Sequence, residues 1–372
     1  MLPAEAAQRL QQAVRRNPPV SLNVLVDEAL RAGPWSVTSH RPEVPGVGPN
    51  DYFSEGLYWW PDPQNPEGPF IRKDCHRNPN RFAANAKDLK ALSEALLVLG
   101  YGAYMLGRPE CAKHACDLIT VWFVEPGTRM NPNLEFGQAV RGISSGRARG
   151  IIETVELIFA AQGILLLEAS GNLDARLAHS VRQWFAEYLQ WLTTSEKGRH
   201  EKNATNNHAT WWTAQVSAFA LFTGDAGAQR LAWDHYREYL VPGQLREDGS
   251  CPSEEARPAA LGYSAMNLDG FAAICRLAQT AGIDLWNFKT ELDIGVERGF
   301  RYLVPYILQP STWRKQQIEP YRSDRVLFPG LAGIAYNSAE LLSAYDQLPR
   351  SQAPWIQFMD LVIRSEWPPP RA

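Results

Sequence analysis

Four residues whose side chains could act together on an acidic sugar occur in two short segments of the chain. Asn207 and His208 lie in the first segment, and Arg257 and Tyr263 lie about fifty residues later. Amide and guanidinium groups can bind a carboxylate and withdraw charge from it, whereas imidazole and phenol groups can transfer protons at neighbouring carbons. Elimination across a uronic-acid glycosidic bond requires this combination, so the two segments indicate a polysaccharide lyase.

These residues and three further segments resemble the alginate lyase family of helical-toroid polyuronate lyases. The further segments are Tyr58 to Pro63 (YWWPDP), Thr128 to Leu134 (TRMNPNL) and Gly262 to Asp269 (GYSAMNLD). A single Asn-Asn-His triplet is weak evidence, but the order and spacing of the segments match the family from about residue 50 to residue 345. The resemblance implies cleavage of a β-1,4-linked polyuronate by β-elimination, with no metal or cofactor, leaving 4,5-unsaturated uronate ends.

The resemblance also implies a role for each of the four residues. Asn207 and Arg257 would neutralise the uronate carboxylate, so that the C5 proton can leave with an enolate-like intermediate. In mannuronate and glucuronate the C5 proton and O4 lie on the same side, and Tyr263 would act as base and then acid. In guluronate they lie on opposite sides, and His208 as base with Tyr263 as acid is more reasonable. Both assignments stay open.

Structural roles compete with these catalytic ones. An Asn before a helix is usually a cap, and an isolated His is more often structural than catalytic. Arg257 could pair at the surface with Glu254 or Glu255, or these glutamates could orient it toward the substrate.

Aromatic and polar side chains near these segments are candidates for binding the sugar chain. The chain contains 13 Trp residues, and sugar rings stack on flat aromatic faces. Of Trp211 and Trp212, we expect one to face the cavity and the other to face the core. The predicted substrate-binding residues are Tyr58, Trp59, Trp60, Asn131, Asn133, Gln138, Arg141, Asn206, Trp211 and Glu254. Further basic residues that could grip carboxylates are Arg72, Lys73, Arg77, Arg81, Arg129, Arg147 and Arg149, but Gln138 and Arg141 rank above them.

Composition restricts the possible partners. The 372 residues carry a net charge of -3, so an acidic polymer would be attracted by a local basic groove and not by the field of the whole protein. There is no basic run or recognition motif for nucleic acid, and we expect no apolar stretch long enough to span a membrane. No His or carboxylate spacing demands a metal. Most of the five cysteines should be buried, with one disulfide possible.

The N-terminal sequence from Met1 to Arg9 lacks the basic region and apolar run of a signal peptide. The resemblance nevertheless implies action outside the cytoplasm. We therefore expect a periplasmic or secreted protein whose signal has been removed, with a cytoplasmic location as the alternative.

Apolar periodicity predicts a mainly helical chain with long loops. Together with the resemblance, it predicts an all-α fold: an α/α toroid, or incomplete α/α barrel, of helical hairpins around a central groove, as a single domain over residues 1–372. The predicted helices are Lys87 to Leu106, Ile151 to Ala169, Leu173 to Leu192, Ala209 to Phe222, Met266 to Ala281 and Leu292 to Leu308. Asn206 or Thr205 could cap the fourth of these, and its N-terminus would favour the substrate carboxylate.

Two other classes of protein remain compatible with the sequence. An inverting glycoside hydrolase on a similar toroid would need two carboxylates, for which the candidates are Asp51, Glu55, Asp62, Glu254 and Glu255. A non-catalytic binding protein for acidic polysaccharides would not need both His208 and Tyr263. Among lyase substrates, mannuronate-rich alginate and β-1,4-glucuronan are about equally favoured.

Overall fold

The computed structural model describes residues 2–17, 19–42 and 44–367, and its contacts divide the chain into two compact units. Unit 1 comprises Met1–Leu22, Ala204–Leu221 and Asp225–Ala372. Unit 2 comprises Asn23–Asn203 and Phe222–Gly224. Two helices continue from one unit into the other, α2 (Val20–Ala29) and α8 (Asn207–Thr223). The single domain predicted for the chain stays a prediction.

Unit 2 combines long helices with short strands. Its helices are α3 (Ala84–Met105), α4 (Pro109–Ile119), α5 (Leu157–Ala169), α6 (Ala175–Thr194) and α7 (Glu196–Lys202). Strand β1 (Phe53–Glu55) pairs in parallel with β4 (Phe136–Ala139), and β2 (Trp59–Trp60) pairs antiparallel with β3 (Ile71–Arg72). Strands β2 and β4 contain three of the predicted substrate-binding residues, Trp59, Trp60 and Gln138.

The core of unit 2 depends on a close crossing of α3 and α5. A Cβ atom at Gly100 would lie 2.3 Å from the carbonyl oxygen of Gly163, and one at Gly163 would lie 2.2 Å from the carbonyl oxygen of Leu96. Both helices are rich in fully buried apolar residues around this point, including Leu97 and Leu167. The two glycines therefore let the helix backbones touch, and no larger residue fits at either position.

Unit 1 contains most of α8 and the helices that follow it. These are α9 (Ala226–His235), α10 (Val241–Gln244), α11 (Pro252–Glu255), α12 (Ala260–Thr280), α13 (Val296–Leu308), α14 (Phe328–Ala335), α15 (Ala339–Gln347) and α16 (Pro354–Glu366), together with α1 (Ala4–Arg16). Helices α8 and α12 approach closely where Gly270 faces Thr210 and Trp211, since a Cβ atom at Gly270 would lie 2.9 Å from the Thr210 methyl carbon. This contact brings together the helix that carries Asn207 and His208 and the helix that carries Tyr263.

The predicted helices are all present, with shifted ends. Helix α12 begins at Ala260, six residues before the predicted start, so Tyr263 lies in its first turn. The apolar pattern is not visible there because Gly262, Tyr263 and Ser264 interrupt it. The segment from residue 151 begins as a 3-10 helix, Ala148–Thr154, before α5 starts at Leu157. Helix α13 starts at Val296, four residues later than predicted.

We expected no apolar stretch long enough to span a membrane, and this expectation was wrong. The helical run Ala148–Ala169 has the length and mean hydropathy of a membrane span, and 61% of its most apolar window is buried inside the protein. Burial of this kind is typical of a core helix in a soluble protein. The run is therefore apolar because it forms part of the core of unit 2.

The five cysteines all lie within the described residues and are free thiols. Cys75, Cys111, Cys251 and Cys275 are buried, as predicted, while Cys116 is partly exposed. The disulfide left open by the sequence is not formed.

Candidate functional site

The start of helix α8 holds the first two of the four predicted catalytic residues. The helix begins at Asn207, directly after Asn206, and His208 follows in the first turn. Asn207 is buried, with 1% of its surface exposed, while Asn206 and His208 are partly exposed. The sequence predicted a helix start close to this position, but placed it two residues later.

A carboxylate of the protein itself lies at this helix start. The backbone N–H of Asn207 donates to Glu254 Oε1, and its side-chain Nδ2 lies 2.9 Å from both Oε1 and Oε2 of Glu254. Glu254 is also buried, with 1% exposed. The sequence predicted that the helix N-terminus would receive the substrate carboxylate. That position is instead occupied by Glu254, because a buried carboxylate needs donors and the helix start provides them.

Arg257 and Tyr263 form a stacked pair on the other segment. The Arg257 guanidinium carbon lies 3.9 Å from the centre of the Tyr263 ring. Arg257 follows the short helix α11 and donates its backbone N–H to the carbonyl oxygen of Glu254 at 3.0 Å. Both side chains are partly exposed. A cation in contact with the ring stabilises negative charge on the phenol oxygen, which is what a proton-transferring tyrosine requires.

A buried polar network lies beside the start of α8. Thr210 Oγ1 lies 2.7 Å from Asn267 Oδ1 and 3.1 Å from Gln244 Oε1, and Asn267 Nδ2 donates to that same Gln244 oxygen at 2.9 Å. Gln244 Nε2 in turn donates to the carbonyl oxygen of Asn206 at 3.1 Å. Since these side chains are buried and hydrogen-bonded to one another, they fix the backbone at Asn206 relative to α12.

Trp211 and Trp212 point to different environments, as predicted. Trp212 is 1% exposed and packs edge-on against His235. Trp211 is partly exposed and donates its indole N–H to the carbonyl oxygen of Met266 at 3.1 Å. Trp211 is therefore the one of the two that can offer a face to a sugar.

A loop that the sequence did not single out contacts the segment between Arg257 and Tyr263. Ala260 N donates to Gln316 O, and Ile318 N donates to Pro258 O, each at 3.0 Å. The side chain of Gln317 accepts from the N–H of Leu261 at 3.1 Å. This loop, residues 313–327, has no catalytic pattern in its sequence. The basic residues between Arg314 and Arg325 are the sequence feature that could have identified this loop as part of a site for an acidic substrate.

The loop also binds the second glutamate of the site segment. Lys315 Nζ lies 3.3 Å from Glu255 Oε2. The two neighbouring glutamates thus have different partners, since the carboxylate of Glu254 binds Asn207 and that of Glu255 faces Lys315.

In unit 2, Trp59 and Gln138 gather around Arg147. The Arg147 guanidinium lies 5.4 Å from the Trp59 ring centre, and it donates to the main-chain and side-chain oxygens of Gln138 at 2.9 and 3.0 Å. Burial, followed by the positive charges of Arg72 and Arg149, lowers the pKa of Arg147 to about 10. Three guanidinium groups therefore form a basic cluster beside Trp59.

The other residues predicted to bind substrate in unit 2 have partners inside the protein. Asn131 donates to Asp51 at 2.8 Å, and Asn133 accepts from the N–H of Glu135 at 3.1 Å. Trp60 donates its indole N–H to the carbonyl oxygen of His76 at 2.9 Å. The carbonyl oxygen of Tyr58 accepts from the backbone N–H of Lys73 at 2.8 Å. These bonds hold the loops that surround Trp59.

Arg141, ranked above Arg147 in the sequence, is less well placed to bind an anion. It is exposed, lies 3.6 Å from Glu55 and stacks over Phe70 at 5.2 Å. Arg147 was ranked lower because nothing in the sequence shows that Arg147 and not Arg141 would lie against Trp59.

The carboxylates considered for a hydrolase also have bonding partners. Glu55 accepts from the N–H of Phe82 at 2.7 Å, Asp51 from Asn131 at 2.8 Å, and Asp62 from the N–H of Gln64 at 2.9 Å. Glu254 is bound to Asn207 as described. Among the residues that the structure describes, no group of three His, Cys, Asp or Glu side chains is placed to hold a metal ion.

Several solved structures similar to this one are alginate lyases. An alginate lyase from Bacteroides ovatus is 29% identical, with a TM-score of 0.88 over 97% of this chain and 98% of that one. Alginate lyase A1-III from Sphingomonas species A1 is 17% identical, with a TM-score of 0.58 over 85% and 88% of the two chains. A variant of that lyase complexed with tetrasaccharide is 16% identical, with a TM-score of 0.61 over 90% and 88%. These likenesses confirm the predicted fold class, an all-α protein of the α/α toroid type.

The sequence comparison identifies the family. Residues 36–313 match the sequence profile of the alginate lyase family, which is well over half of the chain. The chain belongs to that family and is a polysaccharide lyase, as the sequence motifs predicted. A search of curated proteins found no match.

Proposed function

We propose that this protein cleaves β-1,4-linked polyuronate by β-elimination without a metal ion, with alginate as its substrate. The observation that carries the proposal is the stacking of Arg257 on Tyr263 at 3.9 Å. A cation and a phenol in contact bring charge neutralisation and proton transfer to one place. The family membership and the alginate lyase from Bacteroides ovatus, similar over 97% of the chain, support alginate in particular.

The reaction begins with neutralisation of the carboxylate next to C5. Arg257 is assigned this role because it is the more accessible donor, and its planar fork suits a carboxylate. Asn207 assists with an amide N–H. Removal of the C5 proton then places negative charge on the carboxylate oxygens, where these donors stabilise it more strongly than in the bound substrate.

Proton transfer is assigned to Tyr263 and His208. With mannuronate, the Tyr263 phenolate accepts the C5 proton, the C4–O4 bond breaks, and the same hydroxyl returns a proton to the departing O4. With guluronate, His208 accepts the proton and Tyr263 supplies the one needed by O4.

The basic cluster in unit 2 supports an anionic polymer as substrate. Arg72 and Arg149 each repel the Arg147 guanidinium, which adds to the effect of burial in lowering its pKa. A uronate carboxylate among these cations would relieve that repulsion, and the adjacent Trp59 ring could pack against the sugar. A neutral polysaccharide would gain nothing from the three charges. Action on such a polymer is consistent with a periplasmic or secreted location, which we include in the proposal.

The proposal is tested by ultraviolet absorbance of the C4–C5 double bond formed on elimination. The protein is mixed separately with polymannuronate, polyguluronate, glucuronan and, as a control, hyaluronan, in each case with and without a chelator. We expect absorbance to rise with polymannuronate and to be unaffected by the chelator. Equal or faster reaction with glucuronan would assign that polymer instead. Reducing ends that accumulate without absorbance would show a hydrolase.

The assignment of Tyr263 is tested by Tyr263→Phe. The substitution removes only the hydroxyl that transfers protons and keeps the ring on which Arg257 stacks. We expect loss of turnover by at least about 100-fold, with oligosaccharide binding measured by calorimetry nearly unchanged. Wild-type turnover in this variant would exclude Tyr263 as the acid and base.

A further inference from the structure

A single buried carboxylate joins the two segments that carry the proposed catalytic residues. The Glu254 side chain accepts hydrogen bonds from the backbone and side chain of Asn207, 47 residues away in sequence. The main-chain oxygen of the same glutamate accepts the N–H of Arg257. Through one residue, the start of α8 is therefore tied to the segment that leads to Tyr263.

The geometry of this contact fixes the orientation of the Asn207 amide. Its nitrogen, and not its oxygen, must face Glu254, because an amide oxygen would be repelled by the carboxylate. The two carboxylate oxygens lie close together, each 2.9 Å from Nδ2, whereas the two N–H bonds of an amide diverge widely. One N–H therefore serves both oxygens of Glu254, and the second N–H is directed elsewhere.

We propose that Glu254 is a positioning residue of the lyase site, which holds the Asn207 amide in one orientation and sets the start of α8 against the Arg257 segment. This inference rests on the proposed function. The second N–H of Asn207 is then held ready for the substrate carboxylate, without the rotation that a loose amide would need during the reaction. Glu254 itself acts through Asn207 and need not touch the sugar.

The first test is Glu254→Gln, which keeps the size of the side chain. The introduced glutamine retains one oxygen for the Asn207 backbone, but its NH2 group would face the Asn207 NH2, donor against donor. The Asn207 side chain must turn over or lose its bond. We expect kcat to fall about 10- to 100-fold, the loss expected for a hydrogen bond to a charged group, with a smaller change in KM.

The matched control is Glu255→Gln, the neighbouring glutamate whose carboxylate faces Lys315. We expect this variant to keep kcat within about two-fold of the wild type, because its partner lies on the loop and not at the start of α8. If kcat fell by a similar factor in both variants, any substitution in this segment would impair the enzyme. That result would overturn the specific role of Glu254.

A double-mutant cycle with Asn207→Ala separates positioning from general structural support. If Glu254 acts through Asn207, adding Glu254→Gln to Asn207→Ala should lower kcat by less than about three-fold more. A further loss as large as in the wild-type background would overturn the proposal. So would wild-type kcat in the single variant Glu254→Gln.

A measurement on the unaltered protein needs neither activity nor a folded variant. The side-chain amide protons of Asn207 are observed by nuclear magnetic resonance. The wild-type protein should show these protons with slow solvent exchange. Rapidly exchanging Asn207 amide protons would overturn the inference. If instead no uronate polymer is cleaved by the wild type, the proposed function fails while this bond can still be verified.

Discussion

At the scale of single residues, the stacked pair requires more of Arg257 than its charge. A lysine has the same charge but is neither planar nor forked, so it cannot both cover the Tyr263 ring and bind a carboxylate with two parallel bonds. We expect Arg257→Lys to lower kcat/KM by about 10- to 150-fold, equivalent to the roughly 1.5–3 kcal/mol of a hydrogen bond to a charged group. Steady-state kinetics on the best polymer would measure this.

The control for Arg257→Lys is Arg246→Lys in the same unit. Arg246 is exposed and bonds to main-chain oxygens, including that of Leu245 at 3.1 Å. Its replacement should leave kcat/KM within about two-fold of the wild type. If Arg257→Lys behaved like this control, charge alone would suffice and the stacking would have no role in the reaction.

The chemistry proposed for the site follows from residue types and stays a prediction, whereas the contacts between those residues could not be predicted from the sequence. Asn207, His208, Arg257 and Tyr263 stand in a recognisable order in the sequence. Nothing in that order shows that Glu254 binds Asn207, because this contact depends on how α11 meets the start of α8. The same is true of Arg147, which is one of several arginines until the fold places it over Trp59.

At the scale of helices and strands, the crossing of α3 and α5 supports unit 2. A methyl group at Gly163 would lie 2.2 Å from the carbonyl oxygen of Leu96, so the helices would have to separate. We expect Gly163→Ala to lower the free energy of unfolding by about 1–3 kcal/mol, as overpacking of a core usually does. Urea denaturation followed by circular dichroism would measure the change.

Gly243→Ala is the corresponding control, because a Cβ atom there meets no atom within 4 Å. That variant should be neutral or slightly more stable, since alanine loses less backbone entropy on folding. If both substitutions lowered the free energy of unfolding equally, the close helix crossing would not be the reason that alanine destabilises the protein at position 163.

Helix existence could be predicted at this scale better than helix ends. Long apolar periodicity marked α3, α6 and α8 correctly to within about two or three residues. The start of α12 was missed because the helix begins with catalytic-type residues, whose polarity hides the apolar pattern. The pairing of residues 313–318 with the site segment has no local signal, since it joins stretches far apart in the chain.

At the scale of the whole molecule, stability should depend on pH through Asp269 of α12. Its carboxyl accepts the N–H groups of Leu327 and Phe328 at 3.0 and 2.8 Å, where it holds the start of α14. Burial raises the pKa of Asp269 to about 7, against the lowering effect of these two bonds. The folded protein therefore keeps a proton on this group at pH values where the unfolded chain, with a pKa of about 3.9, has lost it.

The sign of the pH dependence follows from proton uptake. Between about pH 4 and pH 7 the folded state binds more protons at Asp269 than the unfolded state, so this contribution to stability is full below pH 4 and is lost as pH rises to 7. We expect Asp269→Asn to flatten that part of the profile of melting temperature against pH. If the difference in melting temperature between variant and wild type were the same at every pH in this range, the pKa of Asp269 would not be raised in the folded protein.

The antiparallel contact between residues 258–261 and 316–318 has a consequence for how the site forms during synthesis. A chain released after residue 313 would contain the entire family-matched region and all four proposed catalytic residues. It would still lack the main-chain partners of Pro258 and Ala260, and Lys315 for Glu255. The ribosome must therefore add at least the residues up to Ile318 before the segment between Arg257 and Tyr263 can acquire its native neighbours.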